Sequence, residues 1–242
     1  MVEPLFYSEN IKAATVGSTA VLSGPEAKHA VSVRRMQVGE AIQLTDGLGT
    51  RLRGTVFATA SAALELSVTE VIQETKPSLE ITLVQALAKG DRDELAIQAA
   101  TELGVSAVIP WQASRSISRW DSAKEVKGRA RWQQIVNEAG KQSLRAFWPV
   151  VQASVTTSAL AKTLGEYDLV LVLDTTATKL LSEISVPKAG SIALVVGPEG
   201  GIEANELEAL QAAGASLVSL GANVLRTSTA GPAVIAALTL RS

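Results

Sequence analysis

Two short stretches near the C-terminus carry the residues whose types and spacing could do chemistry. Residues 194–201 form an apolar run that ends in Gly197-Pro198-Glu199-Gly200-Gly201, and residues 220–227 form a second run that ends in Arg226-Thr227. Glycine allows a positive φ and a close approach of the backbone to a ligand. Open α/β sheets bind ligands in the crevice beyond the carboxyl ends of their strands. The pair therefore predicts a ligand crevice, although two tight strand-to-helix turns fit the same spacing.

The glycine-rich stretch lacks the features of the two common nucleotide-binding motifs. The Lys and Ser/Thr of a Walker phosphate loop do not follow Gly201. The G-x-G-x-x-G spacing of a dinucleotide site is also absent. A helix predicted just after the stretch would offer free N–H groups to a ligand. Residues 221–225 supply backbone groups and two aliphatic side chains, which suit a flat heterocycle.

The elements that must position these stretches begin at Leu79. Apolar strands alternate with helices, and this alternation predicts a parallel sheet with helices on both faces, an α/β domain. Asp91 and Glu94 have the spacing of a capping box at the start of the first helix. The predicted strands are 80–88, 105–110, 149–152, 169–174, 192–197 and 216–220, and the predicted helices are 91–103, 127–145, 206–213 and 229–240.

Residues 1 to about 74 have a different pattern, with short alternating runs separated by turn signals. The predicted strands are 19–22, 41–45, 52–58 and 63–71, and a short helix is predicted at 25–33. Asp46-Gly47 between two of these strands is typical of a hairpin. Strands at this spacing predict a small barrel. We therefore expect two domains, 1–74 and 78–242, joined by a short linker.

Composition excludes several classes of protein. The 242 residues include no cysteine and one histidine, His29, so disulfides and thiolate metal sites are excluded and a zinc centre is not expected. The N-terminus has no basic segment followed by an apolar core, as a signal peptide would. No apolar run approaches the ~18 residues of a membrane span. We expect a cytoplasmic protein with neither a membrane segment nor a metal.

The charges are segregated, although the formal net charge is only -2. Residues 114–145 hold eight bases against three acids, and residues 28–53 hold five bases against two acids. Such segregation can create a basic face that binds nucleic acid on an acidic protein. The alternative is a solvated helix surface. The first segment and its flanks also contain five aromatic residues, which could stack on RNA or pack in the core: Trp111, Trp120, Trp132, Phe147 and Trp148.

The combination of motifs resembles one family along nearly the whole chain. The two C-terminal stretches, with Glu206 between them, are similar to the signature of the RsmE family, SPOUT-class methyltransferases that act on N3 of a uridine near the 3′ end of 16S rRNA. Further matches are Lys89-Gly90-Asp91-Arg92, Thr101-Glu102-Leu103-Gly104-Val105, Arg115-Ser116, Glu138-Ala139, Gln142-Ser143 with Arg145 and Pro149, and His29 with Val33 and Arg35.

The resemblance implies a fold, a cofactor and partners. It implies an N-terminal PUA-like β-barrel followed by a SPOUT α/β domain with a C-terminal deep trefoil knot, a rare exception to un-knotted topology. It also implies a homodimer, with the last helix in the interface, that acts on 16S rRNA or the small ribosomal subunit. S-adenosylmethionine (SAM) would be held in the knot by Leu173, Val196, Gly197, Pro198, Gly200, Gly201, Leu220, Gly221, Val224, Leu225, Thr227 and Ala230.

Methyl transfer to N3 requires the loss of a proton, and negative charge then grows on the uracil ring. A nearby cation would stabilise that charge, and Arg226 is the first candidate; its alternative role is an ion pair that braces the knot. Glu199 is a candidate base or cofactor hydrogen-bond acceptor, or else a brace for its own loop. Arginine contacts phosphates and stacks on unstacked bases. The expected RNA-binding residues are Arg35, Lys89, Arg92, Arg115, Arg119 and Arg145.

One departure from the family leaves two other functions open. Ser228 stands where the family has a glutamate, and we expect it to cap the last helix instead. The chain could therefore be a SPOUT methyltransferase with another RNA target. It could also be a non-catalytic RNA-binding factor in ribosome assembly that has kept the fold.

Overall fold

The structure is a computed structural model that describes residues 3–240. Its contacts divide the chain into two compact units. The N-terminal unit comprises Met1–Lys76 together with Gly140–Trp148, and the C-terminal unit comprises Pro77–Ala139 and Pro149–Ser242. The expected boundaries, 1–74 and 78–242, do not include the return of residues 140–148 to the N-terminal unit. No helix in the described part of the chain is long and apolar enough to cross a membrane.

The N-terminal unit is built on a five-stranded sheet in the order β1-β3-β4-β5-β2. Alternate residues of these strands, such as Leu52, Leu64 and Leu66, are fully buried and form one apolar core. A hairpin joins β3 to β4 at Asp46-Gly47, as predicted. The strands are β1 (Leu5–Tyr7), β2 (Thr19–Ser23), β3 (Ala41–Thr45), β4 (Thr50–Ala60) and β5 (Ala63–Gln73).

The short helix of this unit is not regular. Helix α1 (Gly24–Lys28) begins with Pro25 in its first turn, where proline needs no hydrogen-bond partner. It continues into a π-helical turn, His29–Val33. The imidazole of His29 stands edge-on to the Phe6 ring, with the ring centroids 5.9 Å apart. His29 therefore packs in this unit.

The segment from Gly140 to Trp148 is held in the N-terminal unit by aromatic packing and one buried ion pair. The Trp148 ring lies against Gly47 and against the ring of Tyr7, at 5.3 Å between centroids. Lys141, which is 9% exposed, pairs with Glu26 at 2.8 Å. Trp148 and Phe147 are thus packing residues.

The C-terminal unit has a parallel seven-stranded sheet in the order β12-β10-β11-β6-β7-β8, with β9 also paired to β7. Its strands are β6 (Leu79–Ala86), β7 (Ala107–Gln112), β8 (Val150–Val151), β9 (Val155–Thr156), β10 (Leu169–Leu173), β11 (Gly190–Val196) and β12 (Ser216–Val218). Its helices are α2 (Arg92–Glu102), α3 (Ser122–Gln142), α4 (Thr157–Thr163), α5 (Ala204–Ala212) and α6 (Thr227–Thr239).

Helices cover both faces of this sheet, which confirms the predicted α/β class. Alternate strand residues point to opposite faces. One face packs against α2, α3 and α6, and the other packs against α4 and α5. Leu83 and Leu194 belong to the first core, whereas Val84 and Val195 belong to the second. The sheet is therefore buried on both sides, as its continuous apolar strands require.

Three local predictions were wrong. The long helix begins at Ser122 and ends at Gln142, earlier than the predicted 127–145. The predicted capping box does not form. Asp91 has a φ of -106° and a ψ of 10° instead of the extended backbone of an N-cap residue, and its side chain makes no capping hydrogen bond. Glu94 forms an ion pair with Arg131 instead. The last helix begins at Thr227 with Arg226 at the N-cap position, so Ser228 lies inside the helix.

The packing of Phe147 predicts the outcome of a substitution at Gly49. A Cβ there would lie 2.4 Å from Phe147 Cζ, at a φ of +109°. We expect Gly49→Ala to lower the free energy of unfolding by about 2–4 kcal/mol, from overpacking and backbone strain together. Gly39→Ala is the matched control, since Gly39 has a φ of +92° and nothing within 4 Å of its Cβ position. Equal losses in urea unfolding of the two variants would contradict this packing.

Candidate active site

A cavity of about 770 Å³ lies at the carboxyl ends of three neighbouring strands. Leu173, Val196 and Val218 are the last residues of β10, β11 and β12, and the strand register places them side by side. The walls are residues 197–202 of the glycine loop, which spans 197–203, and the second loop, residues 219–226. Every expected cofactor-binding residue lines this cavity: Leu173, Val196, Gly197, Pro198, Gly200, Gly201, Leu220, Gly221, Val224, Leu225, Thr227 and Ala230.

A threonine hydroxyl fastens the glycine loop to the start of α6. Thr227 is 6% exposed, and its Oγ1 donates a hydrogen bond to the carbonyl oxygen of Gly197 at 2.8 Å. Thr227 Oγ1 also accepts a hydrogen bond from Nε2 of Gln85, at 2.8 Å. Gln85 is fully buried near the end of β6. One side chain thus connects β6, the end of β11 and α6.

The second loop is anchored at its start and open beyond it. The backbone N–H of Ser219 donates to Lys179 at 2.9 Å, and that of Leu181 donates to Ser219 at 2.9 Å. From Leu220 to Leu225, no backbone N–H donates a hydrogen bond within residues 3–240. Three apolar side chains of this loop are exposed: Leu220, Val224 and Leu225. Free N–H groups beside apolar side chains are typical of a small-molecule site.

Glu199 is held in place from outside the loop. Its Oε1 lies 2.8 Å from Nη1 of Arg92 and accepts the backbone N–H of Lys89 at 3.2 Å. Partial burial raises the pKa of Glu199, but hydrogen bonds from its own N–H, from Arg92 and from Lys89, together with the charge of Arg92, bring that pKa below its ordinary value. An ionised, paired carboxylate is a weak base. These contacts favour the bracing role over the catalytic one.

Arg226 is placed differently. It is exposed, lines the cavity and occupies the N-cap position of α6. Within the described part of the chain its guanidinium makes no ion pair or hydrogen bond. The alternative role, an ion pair that braces the knot, therefore has no partner among the described residues.

The expected RNA-binding residues do not form one group. Arg92 and Arg115 line the cavity, and exposed Lys89 precedes Arg92 in the same turn. Arg119 donates to the carbonyl oxygen of Ser114 at 2.6 Å. The two others, Arg35 and Arg145, belong to the N-terminal unit. Arg35 is exposed with a φ of 56°, and burial lowers the pKa of Arg145 to about 10.

Comparison with known proteins assigns the chain to a family. The RNA methyltransferase domain matches residues 74–239, and the RNA methyltransferase PUA domain matches residues 22–63. Ribosomal RNA small subunit methyltransferase E of Mycobacterium bovis is 41% identical over 98% of this chain and 92% of its own length. The chain belongs to the RsmE family. It is an RNA methyltransferase with an N-terminal PUA-like domain.

Two solved structures are similar over their whole length. The ribosomal RNA small subunit methyltransferase E of Neisseria gonorrhoeae, bound to S-adenosyl methionine, is 30% identical with a TM-score of 0.87 and covers 99% of this chain and 98% of its own. A protein of Legionella pneumophila, solved in complex with the bound cofactor SAM, is 26% identical with a TM-score of 0.88, and the match covers 100% of this chain and 98% of that one.

Sequence reasoning missed several residues of this RsmE-family site. Gln85 supports Thr227 without lining the cavity, and the signal that could have found it is an amide in the apolar strand β6. Asp174, whose Oδ1 accepts the N–H of Thr176 at 2.8 Å, contributes a polar wall. Other unpredicted lining residues are Thr175, Ile202, Val218 and Ser219. Within residues 3–240, no group of three or more His, Asp or Glu side chains could hold a metal ion.

The bridging role of Thr227 predicts a specific loss of stability. Thr227→Val keeps the volume but removes the hydroxyl donor to the Gly197 carbonyl and one of the two acceptors of Gln85 Nε2, the other being the Ala86 carbonyl. We expect the free energy of unfolding to fall by about 1–3 kcal/mol, the cost of unsatisfied buried polar groups. Thr229→Val is the control, because Thr229 is exposed two residues further along the same helix; this variant should change the free energy of unfolding little. Similar urea midpoints for both variants would contradict the bridge.

The lowered pKa of Glu199 predicts a pH-dependent contribution to stability. A carboxyl whose pKa is depressed on folding stabilises the fold above its unfolded pKa, and this stabilisation is lost as pH falls through the folded pKa. We therefore expect the stability difference between wild type and Glu199→Gln to be largest near neutral pH and to shrink below the ordinary value of 4.5. Glu208→Gln, at an exposed position, is the control. Urea unfolding across this pH range measures both, and a difference that does not vary with pH would contradict the shift.

Proposed function

We propose that the chain transfers the methyl group of SAM to N3 of a uridine in 16S rRNA. The observation that carries this proposal is the convergence of all twelve expected SAM-binding residues on one cavity, with Arg226 on its wall. The similarity to ribosomal RNA small subunit methyltransferase E of Mycobacterium bovis supports the substrate. The similarity to two structures with bound SAM supports the methyl donor. Because the substrate is ribosomal RNA, we expect the enzyme to act in the cytoplasm.

The cavity fits the chemistry of SAM. Its volume lies within the range of about 300–1,000 Å³ for small-molecule sites. The exposed side chains of Leu220 and Leu225 suit the adenine ring, and the free N–H groups of the second loop suit its ring nitrogens. When bound, SAM supplies an electrophilic methyl group. The glycine loop, whose backbone can approach closely, would hold the remainder of the molecule.

The catalytic role that we assign to Arg226 is electrostatic. Loss of the N3 proton to solvent water leaves negative charge on N3 and on the two carbonyl oxygens of uracil. A guanidinium at the cavity wall that is not engaged in an ion pair within the described residues stabilises this charge in the transition state. Glu199 keeps the loop in shape through Arg92 and the Lys89 N–H. Positioning and charge stabilisation are therefore the contributions of this chain.

We further propose that the second loop and α6 pass through a loop of the chain and form a deep trefoil knot. Two contacts support this threading. Ser219 pairs with Leu180, which lies in the connection between β10 and β11. Thr227, which follows the second loop, donates its hydroxyl to the Gly197 carbonyl at the end of β11. We also propose that the five-stranded sheet of the N-terminal unit forms a PUA-like barrel.

We propose that two copies of the chain form a homodimer. The outer surface of α2 keeps Leu95 49% exposed and Leu103 36% exposed, beside the end of α6, where the Thr239 hydroxyl reaches the Leu103 carbonyl. Exposed apolar side chains on packed helices are typical of an interface between subunits. Analytical ultracentrifugation tests this proposal, and a monomer at micromolar concentration would contradict it.

For RNA we propose phosphate contacts by exposed arginines and lysines of both units. Arg35 lies in the part of the chain matched by the PUA domain. Its φ of 56° is unusual for a residue other than glycine, and such strain is often retained at functional positions. Lys89, Arg92 and Arg119 are the remaining candidates. Burial lowers the pKa of Arg145 and removes it from this set, and Arg115 is bound to the glycine loop.

Methyl transfer from labelled SAM to small subunits that lack the modification tests the function, with mass spectrometry to place the methyl group. We expect wild type to label one uridine at N3. Arg226→Ala should reduce kcat by about 10²–10³-fold, as loss of one transition-state charge partner does elsewhere. Its affinity for SAM should stay within a few-fold of wild type.

Lys162→Ala is the matched control, since Lys162 is exposed on α4 and lies outside the cavity. It should leave kcat unchanged. Binding of SAM without turnover by wild type would favour a non-catalytic RNA-binding factor. Labelling of a different RNA or of a different atom would contradict the proposed substrate.

A further inference from the structure

The turn after β7 is fixed by a buried carboxylate. Glu206 is 4% exposed in the first turn of α5 and accepts the backbone N–H of Ser114 at 3.0 Å. It also accepts the hydroxyl of Thr157, which in turn accepts Nε1 of Trp111 at 3.1 Å. A buried, fully hydrogen-bonded network of this kind rigidifies the groups that it connects. The backbone next to Arg115 is therefore fixed by the hydrogen bond between the Ser114 N–H and Glu206.

From this turn, the Arg115 side chain contacts two residues of the glycine loop. Its Nη1 donates to the carbonyl oxygen of Gly200 at 3.1 Å, and its Nε lies 3.7 Å from Oε1 of Glu203. A Cβ at position 200 would lie 3.2 Å from Cβ of Arg115, so glycine allows this close approach. The Arg115 side chain is about half exposed, at 51%.

A second arginine holds the preceding residue from another element. Arg92, at the start of α2, pairs with Glu199 at 2.8 Å. Two consecutive residues of the glycine loop are therefore each bound by an arginine, one from the turn after β6 and one from the turn after β7. A loop with three glycines has little conformational preference of its own. Its shape depends on these external contacts.

We propose that Arg115 is a positioning residue that sets the backbone of residues 200–203 for the methyl donor. This role replaces the RNA contact that its position in a basic segment led us to expect. The inference rests on the proposed function, because it assumes that the cavity binds SAM. Arg115 acts on SAM through the Gly200 carbonyl and Glu203, whereas a phosphate ligand would have to compete with both contacts.

Calorimetric titration of SAM into the full chain tests the inference. We expect Arg115→Ala to raise the Kd for SAM by about 3- to 30-fold, as loss of a charge-assisted hydrogen bond near the surface would. Arg115→Lys should lie between Ala and wild type, because an ammonium can donate to the Gly200 carbonyl but lacks the second arm for Glu203. Lys127→Ala removes one exposed positive charge from the same basic segment and is the matched control.

Hydrogen exchange and RNA binding provide readouts that do not depend on turnover. The amides of residues 200–202 should exchange faster in Arg115→Ala than in wild type without SAM, while those of β11 should not change. Under saturating SAM, kcat should recover, so that the effect lies in KM for SAM. The affinity for small-subunit RNA and its salt dependence should match those of Lys127→Ala.

Two results would overturn the inference. One is an unchanged Kd for SAM, or unchanged exchange of residues 200–202, in a folded Arg115→Ala protein. The other is a loss of RNA affinity greater than that of Lys127→Ala with SAM binding intact, which would restore the RNA role. Wild-type protein that binds SAM but does not methylate small subunits would contradict the proposed function alone. Wild-type protein that binds no SAM would overturn both.

Discussion

The hydrogen bonds of the Thr227 hydroxyl are the constraint on which the site depends. Thr227 lies 142 residues from Gln85 and 30 residues from Gly197, yet one buried oxygen bonds to both at 2.8 Å. A buried polar group without a partner is costly, so any movement that separates these three residues is energetically unfavourable. The start of α6 is thereby placed against the end of β11. Both walls of the cavity are defined by this one contact.

This arrangement explains why flexible loops can form a defined site. Neither the glycine loop nor the second loop has regular structure, and the second loop makes no backbone N–H bonds of its own from Leu220 to Leu225 within residues 3–240. Both loops, however, begin at strands of a parallel sheet that is buried on both faces, so their starting points are fixed. Arg92, Arg115 and Thr227 then fix the glycine loop at successive points. Rigid strands supply the position, and side chains from other elements supply the shape.

The sequence predicted those features that depend on neighbouring residues. Alternating strands and helices, the Asp46-Gly47 hairpin and the two loops all follow from local patterns. Strand β9 and helix α4 were missed because two residues, Val155–Thr156, and a seven-residue helix carry too little periodicity to detect. The capping roles of Asp91 and Ser228 were wrong because Glu94 pairs with Arg131 and α6 starts at Thr227. The ion pair between Glu94 and Arg131 joins residues that are distant in the sequence, so no local pattern predicts it.

The different roles of the arginines at the cavity could not be predicted from the sequence. Charge counting treats Arg92, Arg115 and Arg226 alike, and all three line the cavity. Arg92 and Arg115 are bound to the glycine loop, whereas Arg226 has no partner among the described residues. A charge already paired with a carboxylate gives little to a developing anion, because its field is partly cancelled. The unpaired arginine is therefore the one that can stabilise the transition state, and the paired ones are suited to hold the loop.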